Sequence, residues 1–555
     1  MKRIVLYIFS LLFLTACLDD KTNYDYRDIN DWTESERKYI TNFQDEYVLY
    51  PEESLTIEPT VRLSMDTLAL NVSYEWRLDG VLVGEEKNFT YTADKVGQYG
   101  LVLSVIDNET KVAFSRETKI TVKSPLSSGW MLLTESASGQ SEISMVLGRV
   151  YQHVFINDRG YEESRDTVIY DEEIRYNLVP NLGNGPRKLI EYYAYGPVVG
   201  VLDIPNEIMV LQESGAVEID GDRLERIIKT ETDFEGGVAP EGLDIQDAVL
   251  TWGTKWLLNH DGKIYGALAT VVSDLHSGTY SSDPEFNGKL FDEFFPCYKI
   301  GGSGYDYYQA IIVIGKDRNM YAIVDDGDAA DPYNNDFSIY YQNHNGAFAE
   351  LQPSGSIDMS WFQNIEGTYI YKDHLKADYY ASPYFGVILR NGQYYWHEFD
   401  IEIPSRYEQG PLEITRSETG VLDAGMFADY KDACLVLKDE MLLVASGTTL
   451  YGTAYKLPGA GVLRLKDDFS APIAKIAVKN IESYYGYYNS QVGVVLENGE
   501  FFIFELVPGE QQGEMTLKQL FHKDLRVDNP AFGKVVDFIV KCGGNGENRS
   551  ANSPF

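Results

Sequence analysis

The chain repeats one local pattern seven times, and this repeat limits the folds that are open to it. Each copy is an apolar run, a tight turn and a second apolar run, from Gly129 onward. Several turns carry residue pairs that favour tight hairpins, such as Asn391-Gly392 and Asn498-Gly499. The pattern therefore predicts seven β-hairpins, with turns near residues 139, 215, 262, 317, 392, 440 and 499.

The spacing of these hairpins indicates a β-propeller. Successive turns are separated by 76, 47, 55, 75, 48 and 59 residues. A four-stranded blade occupies about 50 residues, so the longer intervals indicate insertions or a further blade. Apolar runs that do not alternate suit strands that neighbouring blades cover on both faces. We predict a propeller over residues 125–541, with seven blades preferred over six or eight, and a pair of stacked β-sandwich domains is the alternative.

Composition agrees with an all-β chain of at least two domains. The 555 residues exceed what one hydrophobic core supports, and 41 tyrosines favour strands. The formal net charge of −38 argues against nucleic acid as a partner, because binding phosphates requires clustered Lys and Arg. Cys297, Cys434 and Cys542 are too widely spaced for a disulfide framework, although one bridge stays open.

Residues 1–16 are predicted to be a lipoprotein signal peptide. Lys2 and Arg3 precede an apolar run from Ile4 to Leu14, which is shorter than the about 20 residues that span a bilayer. Leu14-Thr15-Ala16-Cys17 has the pattern of a bacterial lipobox. The mature chain is therefore predicted to begin at a lipid-modified Cys17, and a cleaved signal with an incidental cysteine is the alternative.

A polar tether and a small β domain are predicted next. Residues 17–43 are mostly charged or polar with no sustained period, which is typical of a flexible tether. Residues 44–124 contain strands with period-two alternation, the clearest being residues 97–107. One face of that strand should be buried. This segment predicts an immunoglobulin-like β-sandwich.

Two stretches of this segment resemble a known family. Residues 74–80 (YEWRLDG) and 97–107 (GQYGLVLSVID) resemble PKD-type immunoglobulin-like domains, with the usual turn reduced to Leu78-Asp79-Gly80. With the lipobox and Asp19-Asp20, the arrangement resembles the PKD-like lipoproteins of Bacteroidota. The resemblance implies an outer-membrane lipoprotein at the cell surface, beside a TonB-dependent transporter and its lid lipoprotein, in the uptake of a glycan or a peptide.

The sequence contains no motif for metal, cofactor or catalytic chemistry. No two of the seven histidines stand at ligand spacing, and Asp325-Asp326-Gly327-Asp328 with Asp331 lacks the EF-hand pattern and is interpreted as an acidic turn. No G-x-S-x-G elbow follows a predicted strand, and no phosphate loop is present. We therefore expect no metal site, no cofactor and no enzyme activity.

Clusters of tyrosine in polar loops are the best candidates for ligand binding. Tyrosine offers a large contact area and a hydroxyl group, which suits sugars, peptides or a protein face. The alternative is that these rings pack between blades. The ligand-binding candidates are Tyr305, Tyr307, Tyr308, Tyr484, Tyr485, Tyr487 and Tyr488, and two further clusters are Tyr192, Tyr193 and Tyr195, and Tyr379, Tyr380 and Tyr384.

These observations predict a non-catalytic accessory or binding subunit of an uptake complex. A secreted propeller hydrolase acting on glycan or peptide and a purely structural subunit are the alternatives. An enzyme would gather polar groups with shifted pKa values at one mouth of the propeller, whereas a binding protein would expose tyrosines there. A structural subunit would carry a large apolar lateral patch. Residues 542–555 have nothing to bury and are predicted to be a disordered tail.

Overall fold

The computed structural model divides into two compact units, residues 1–124 and 125–555. It describes residues 40–62, 71–126, 128–156, 162–170, 174–191, 207–221, 223–225, 227–250, 254–268, 278–286, 288–296, 308–326, 348–375, 381–402, 412–437, 440–479, 482–483, 486–487, 490–510 and 513–542. These residues are almost entirely strands and connecting turns, so the prediction of an all-β protein is confirmed.

The first unit is built from short strands arranged around one larger sheet. In the described residues these strands are β1 (Ile40–Thr41), β2 (Glu46–Leu49), β3 (Ser54–Ile57), β4 (Thr60–Val61), β5 (Val72–Leu78), β6 (Val81–Gly84), β7 (Phe89–Thr92), β8 (Gly97–Asp107) and β9 (Ala113–Val122). Five of them pair in the order β2-β9-β8-β5-β6, while β3 pairs with β7 and β1 with β4. All these pairs are antiparallel except β2 with β9.

Local sequence signals place the strands of this unit. Asp79 and Gly80 have φ angles of 47° and 80°, and positive values at both positions are what a type I′ hairpin turn requires. On β8, Leu101, Leu103 and Val105 are fully buried. The predicted Asp-Gly hairpin and the predicted buried face are both confirmed.

The folded part of this unit begins earlier than the sequence predicts. Trp76 is fully buried and its ring stacks between Phe43 and Phe89, with centroid distances of 6.1 Å and 4.9 Å. Ile40 is also fully buried and its strand pairs with β4. The prediction that the tether extends to residue 43 is wrong at its end, because the side chains of Ile40 and Phe43 contribute to the core.

The second unit consists of strands joined mostly by short turns. In the described ranges they are β10 (Ser128–Glu135), β11 (Ser141–Val146), β12 (Gly148–Ile156), β13 (Glu162–Tyr170), β14 (Pro186–Glu191), β15 (Glu207–Gln212), β16 (Val217–Asp220), β17 (Ile227–Lys229), β18 (Ile245–Leu250), β19 (Thr254–Asn259), β20 (Ile264–Leu268), β21 (Phe291–Phe294), β22 (Tyr308–Gly315), β23 (Met320–Asp326), β24 (Phe348–Glu350), β25 (Gln352–Pro353), β26 (Thr368–His374), β27 (Ala381–Arg390), β28 (Gln393–Glu402), β29 (Glu413–Val421), β30 (Tyr430–Val436), β31 (Met441–Ser446), β32 (Thr449–Ala454), β33 (Leu463–Lys466), β34 (Ile473–Lys479), β35 (Glu482–Ser483), β36 (Gly486–Tyr487), β37 (Gln491–Leu496), β38 (Glu500–Pro508), β39 (Met515–Asp524) and β40 (Lys534–Cys542).

Within the described residues, seven sheets of this unit have three or more strands. Their strand orders are β40-β10-β11, β14-β15-β16-β17, β18-β19-β20, β21-β22-β23-β24, β26-β27-β28-β29-β25, β30-β31-β32-β33 and β34-β37-β38-β39. Each sheet shares a hydrophobic core with the next one, and the last shares a core with the first. Stacked sandwiches would pair the sheets two by two, so this packing supports the predicted β-propeller fold.

All seven predicted hairpin turns connect neighbouring strands, one in each of these sheets. The uneven spacing has two identifiable causes. The β12–β13 hairpin is inserted between β11 and β14, which lengthens the first interval. The other six predicted turns join the second and third strands of their sheets, but the turn near residue 440 joins the first and second strands, β30 and β31. The turn that corresponds to the other six lies at Gly447, between β31 and β32, which accounts for the unequal last two intervals.

The end of the chain completes the first sheet. β40 pairs antiparallel with β10, and Trp130 lies opposite Val540. The apolar run of residues 533–540 (GKVVDFIV) predicts a final strand that would complete the first blade, and this pairing confirms it. The strand runs through Cys542, one residue past the predicted end of the propeller, because Cys542 still pairs with Ser128. Residues 543–555 of the predicted tail lie outside the described residues.

Strands with continuous apolar runs are buried on both faces, as predicted. All six residues of β31 and all six of β37 are buried. Helices are short: the described ones are α1 (Leu525–Asp528) and 3-10 turns at Thr230–Thr232, Glu235–Gly237, Met359–Trp361 and Ala424–Phe427. None of the helices in the described ranges has the length and hydrophobicity needed to cross a lipid bilayer.

Candidate functional site

One strand from each of the seven sheets lines a central cavity of about 200 Å³. The lining strands are β14, β18, β21, β26, β30, β34 and β40. Each is the first strand in the order of its sheet as given above, so the innermost edges of the sheets converge on a common channel. A channel of this kind is a usual place for a ligand site in a closed β architecture.

A β-bulge recurs at an equivalent place in all seven lining strands. In β14, for example, Pro186 and Lys188 lie opposite consecutive residues of β15, so Arg187 is the extra residue. The residue that follows each bulge is charged in six strands and tyrosine in the seventh. We call these residues the channel ring: Lys188, Asp247, Glu293, Tyr371, Asp432, Lys475 and Asp537.

Two carboxylates of the channel ring join neighbouring sheets by the same contacts. Asp537 Oδ2 accepts a hydrogen bond from the backbone N–H of Leu189 at 2.7 Å, and its Oδ1 accepts one from Phe538 at 2.9 Å. Asp432 Oδ2 accepts from the N–H of Ile476 at 3.1 Å, and its Oδ1 accepts from Ala433 at 3.0 Å. In both cases the donor to Oδ2 directly follows the ring residue of the neighbouring sheet, Lys188 or Lys475, whereas the donor to Oδ1 is the next residue on the aspartate's own strand.

Ion pairs connect other sheets at the same level. Lys188 Nζ lies 2.6 Å from Asp247 Oδ1, and Lys372 Nζ lies 2.6 Å from Glu293 Oε2. Burial opposes the charge of Lys188, but the carboxylate of Asp247 outweighs it and leaves the pKa of Lys188 raised. Both ion pairs therefore lie at junctions between sheets.

Burial controls the ionisation of the two joining carboxylates. It raises the pKa of Asp432 to about 6, although the charge of Lys475 and two backbone N–H groups oppose it. Burial also raises the pKa of Asp537, against the same lysine. Near neutral pH the channel ring thus contains a carboxyl group that can exchange a proton.

The next level of the channel is mostly apolar. Side chains alternate along a strand, so the residues two positions after the ring share its face. Six of the residues at this level line the cavity: Ile190, Val249, Asp373, Cys434, Ala477 and Ile539. Cys434 is a free thiol with 6% exposure, and burial raises its pKa. Asp373 is the single carboxylate at this level.

The candidate residues from the sequence lie mainly outside the described residues. Cys17, Tyr305, Tyr307, Tyr484, Tyr485 and Tyr488 are among these. Tyr308 belongs to β22 and Tyr487 to β36, and their side chains are not described. Lipidation and tyrosine-mediated binding therefore stay predictions. In a further cluster, Tyr384 is fully buried, as the packing alternative predicts.

Sequence reasoning missed the channel ring, although a faint signal for it exists. Asp247-Ala248-Val249-Leu250 and Asp432-Ala433-Cys434-Leu435 are nearly the same tetrapeptide, and each begins at a ring position. Asp537-Phe538-Ile539-Val540 has the same order of one carboxylate and three apolar residues. A search for repeats around the hairpins, rather than only at their turns, would have found it.

Metal binding has no support in the described part of the chain. No group of three or more His, Cys, Asp or Glu side chains there is placed to hold an ion. Asp325 and Asp326 end β23, and their side chains are not described. Residues 327–331 of the proposed acidic turn lie outside the described residues.

Comparison with solved structures finds distant similarity. The chain is similar to a quinoprotein alcohol dehydrogenase-like protein from Bacteroides thetaiotaomicron, with 12% identity, coverage of 90% of this chain and 98% of that one, and a TM-score of 0.28. It is similar to Prp20p from Saccharomyces cerevisiae, with 10% identity, coverage of 61% and 87%, and a TM-score of 0.30. It is also similar to the WD40 domain of SCAP from fission yeast, with 8% identity, coverage of 61% and 74%, and a TM-score of 0.34.

Comparison of sequences gives one match. No curated protein matches the chain. Residues 17–170 match the model of the PKD-like family, and this confirms, for that part of the chain, the resemblance that its sequence motifs indicate.

Proposed function

We propose that this protein is a lipid-anchored lipoprotein of the outer-membrane surface and a non-catalytic binding or accessory subunit of a TonB-dependent uptake complex. Its partners would be the transporter and its lid lipoprotein, and the imported nutrient would be a glycan or a peptide. The PKD-like match supports this role and begins at Cys17, the residue predicted to carry the lipid.

The use of charge in the channel supports a non-catalytic role. Asp432 and Asp537 accept hydrogen bonds from neighbouring sheets, and Lys188 and Asp247 form an ion pair across a sheet junction. Groups that serve as general acid or nucleophile must be able to reach a substrate. Here the same groups hold the architecture together, which leaves the channel suited to binding.

The test is an affinity pull-down of the intact lipoprotein from gently solubilised outer membranes, followed by mass spectrometry. A TonB-dependent transporter is expected among the recovered proteins. The matched control carries Cys17→Ala. This variant should no longer be found in the membrane fraction, and the transporter should no longer be recovered with it. Recovery of the anchored protein alone would contradict the accessory role.

A hydrolase is the second candidate, because carboxyl groups converge in the channel and burial raises the pKa of Asp432 to about 6. A raised pKa of this kind suits a general acid near neutral pH. Turnover of a glycan or peptide that Asp432→Asn abolishes without loss of folding would favour the enzyme. Equal turnover by the variant, or none by either protein, would support the binding role.

A further inference from the structure

The first unit has a strand edge that is both exposed and apolar. β6 is the last strand of the five-stranded sheet, so its outer edge is unpaired among the described residues. Its three apolar residues, Val81, Leu82 and Val83, are 65%, 44% and 45% exposed. An unpaired strand edge can accept a further strand, and exposed apolar side chains favour a partner that covers them.

The backbone of β6 offers hydrogen-bonding groups at this edge. Leu78 and Val81 close the hairpin on either side of the Asp79-Gly80 turn, and Arg77 pairs with Leu82. In an antiparallel pair, residues that exchange hydrogen bonds alternate with residues that do not. Because the closing pair of a type I′ hairpin is hydrogen-bonded, the N–H and C=O of Leu82 point away from β5. One donor and one acceptor therefore face outward at the centre of β6.

β6 lacks the charges that usually protect such an edge. Native edge strands often carry charged residues or proline, which prevent unwanted pairing. The opposite edge of this sheet follows that rule, because Glu46 of β2 lies 3.8 Å from Lys119 Nζ and accepts a hydrogen bond from Thr121. β6 has no charged residue and no proline, and its one protective feature is a bulge at Val83. β6 is therefore the edge of this sheet that is suited to pairing.

Acidic residues flank the apolar segment at both ends. Asp79 lies in the turn before β6, and Glu85-Glu86-Lys87 follows its end, all of them exposed. Three carboxylates thus stand against one ammonium group. The nearest other cation, Arg77 on β5, is committed to Glu75 at 2.9 Å. The flanks of β6 therefore favour a partner with positive charge.

These charges decide between a second copy of the chain and another partner. Two copies of β6 paired antiparallel about Leu82 would place Glu85 of each copy opposite Asp79 of the other. Like charges directly opposite each other destabilise such pairs. A strand with Lys or Arg at its ends would instead meet opposite charges at both flanks.

We propose that β6 binds an extended segment of a partner protein, with apolar residues flanked by Lys or Arg, as an added antiparallel strand. Main-chain hydrogen bonds to Leu82 provide the pairing, and apolar side chains of the partner cover Val81 and Val83. The basic ends of the segment fit the acidic flanks. This inference goes beyond the proposed function, because it concerns the first unit and depends neither on the channel nor on a transporter.

The experiment measures the binding of peptides, labelled with a neutral dye, to the full lipoprotein in detergent by fluorescence anisotropy at low salt. The probe is KVTVTVK, which has Lys at both ends and alternates Val with Thr as a strand does. EVTVTVE reverses the charge at both ends, and KVTPTVK puts a proline at the centre, which disfavours strand pairing. The probe should bind at least about tenfold more tightly than either control. Equal binding of either control, or no binding of the probe, would overturn the proposal.

Variants locate the site. Val81→Lys adds a charge at the exposed edge, and Val48→Lys is the matched control on the exposed edge strand at the other side of the same sheet. The first should weaken binding of the probe about tenfold and the second should leave it unchanged. Both should keep the melting temperature of the wild type, because both valines are exposed. Glu85→Gln combined with Glu86→Gln leaves the strand intact and should also weaken binding and its dependence on salt. Unchanged affinity in both β6 variants would place the peptide elsewhere and refute this site.

Sedimentation of the lipoprotein in detergent tests the other occupant of this edge. Wild type and Val81→Lys should have the same oligomeric state, because like charges oppose pairing between copies. A dimer that Val81→Lys dissociates would show a second copy at β6 and would overturn the proposal of a basic partner strand. Peptide binding and recovery of a transporter in the pull-down can each fail without the other, so the two proposals are tested separately.

Discussion

Lys255 Nζ lies 2.9 Å from Oε2 of Glu218, and both side chains are almost fully buried, at 0% and 1% exposure. The lysine belongs to β19 and the glutamate to β16, so the pair joins two sheets away from the channel. Asp233 accepts a second bond from the same ammonium group at 2.8 Å, and the Tyr280 ring lies 4.7 Å from it. These carboxylates outweigh burial and raise the pKa of Lys255.

Replacing the buried lysine should destabilise the second unit strongly. Lys255→Met removes the cation shared by Glu218 and Asp233 and leaves the buried carboxylate of Glu218 and the partly buried one of Asp233 without it. The expected loss is about 3–5 kcal/mol in the free energy of unfolding, measured by urea denaturation. Lys518→Met is the control, because its ion pair with Glu505 is exposed on the lysine side and should matter little. Similar losses in the two variants would contradict this account.

Gly493 is required where two aromatic rings meet. A Cβ at this position would lie 2.6 Å from both Phe538 Cζ and Trp130 Cζ3. Gly493→Ala should therefore lower the free energy of unfolding by about 1–3 kcal/mol, as overpacking of a core does. Gly461→Ala is the matched control, since nothing lies within 4 Å of its Cβ. An equal effect of the two substitutions on the melting temperature would refute the packing argument.

The sequence predicts the hairpins and the closing strand well because those signals are local. The residue types of a turn such as Asn391-Gly392 indicate its backbone geometry, and the apolar runs on either side of it indicate the two strands. The same reasoning misplaced the end of the tether. Ile40 and Phe43 are single apolar residues in a polar stretch, and only packing on Trp76 shows that they belong to the fold.

The channel ring is a tertiary feature, and this is why it escaped sequence reasoning. Lys188 and Asp537 are 349 positions apart and come together because β14 and β40 converge. Their level is set by bulges, which leave no turn residue as a signature. The tyrosine clusters are the opposite case. Their signal in the sequence is clear, but their role in binding is still a prediction.

His397 should remain neutral well below the pH at which histidines usually titrate. Burial lowers its pKa to about 3, while Tyr369 Oη lies 2.8 Å from Nδ1 and Ser417 Oγ lies 3.1 Å from Nε2. Unfolded chains bind this proton below about pH 6.5, so stability should fall by about 1.4 kcal/mol per pH unit from there toward pH 3. Carbon-13 labelling of histidines should show no titration of His397 between pH 8 and 5, with His397→Gln to assign its resonance. A midpoint near 6.5 for His397 would contradict its burial.

Asp432 should give stability the opposite dependence on pH. Its folded pKa of about 6 exceeds the ordinary value of 3.8, so the folded state holds a proton that the unfolded state has lost. The contribution of this group is therefore fully present below about pH 4 and is lost as the pH rises through 6. From pH 4 to pH 7 the wild type should lose up to ~3 kcal/mol relative to Asp432→Asn, whose side chain keeps one oxygen acceptor but does not titrate. Urea denaturation at the two pH values measures this difference. A constant gap between wild type and Asp432→Asn would mean that the carboxyl group is already ionised at pH 4, and that Lys475 and the backbone N–H of Ile476 outweigh its burial.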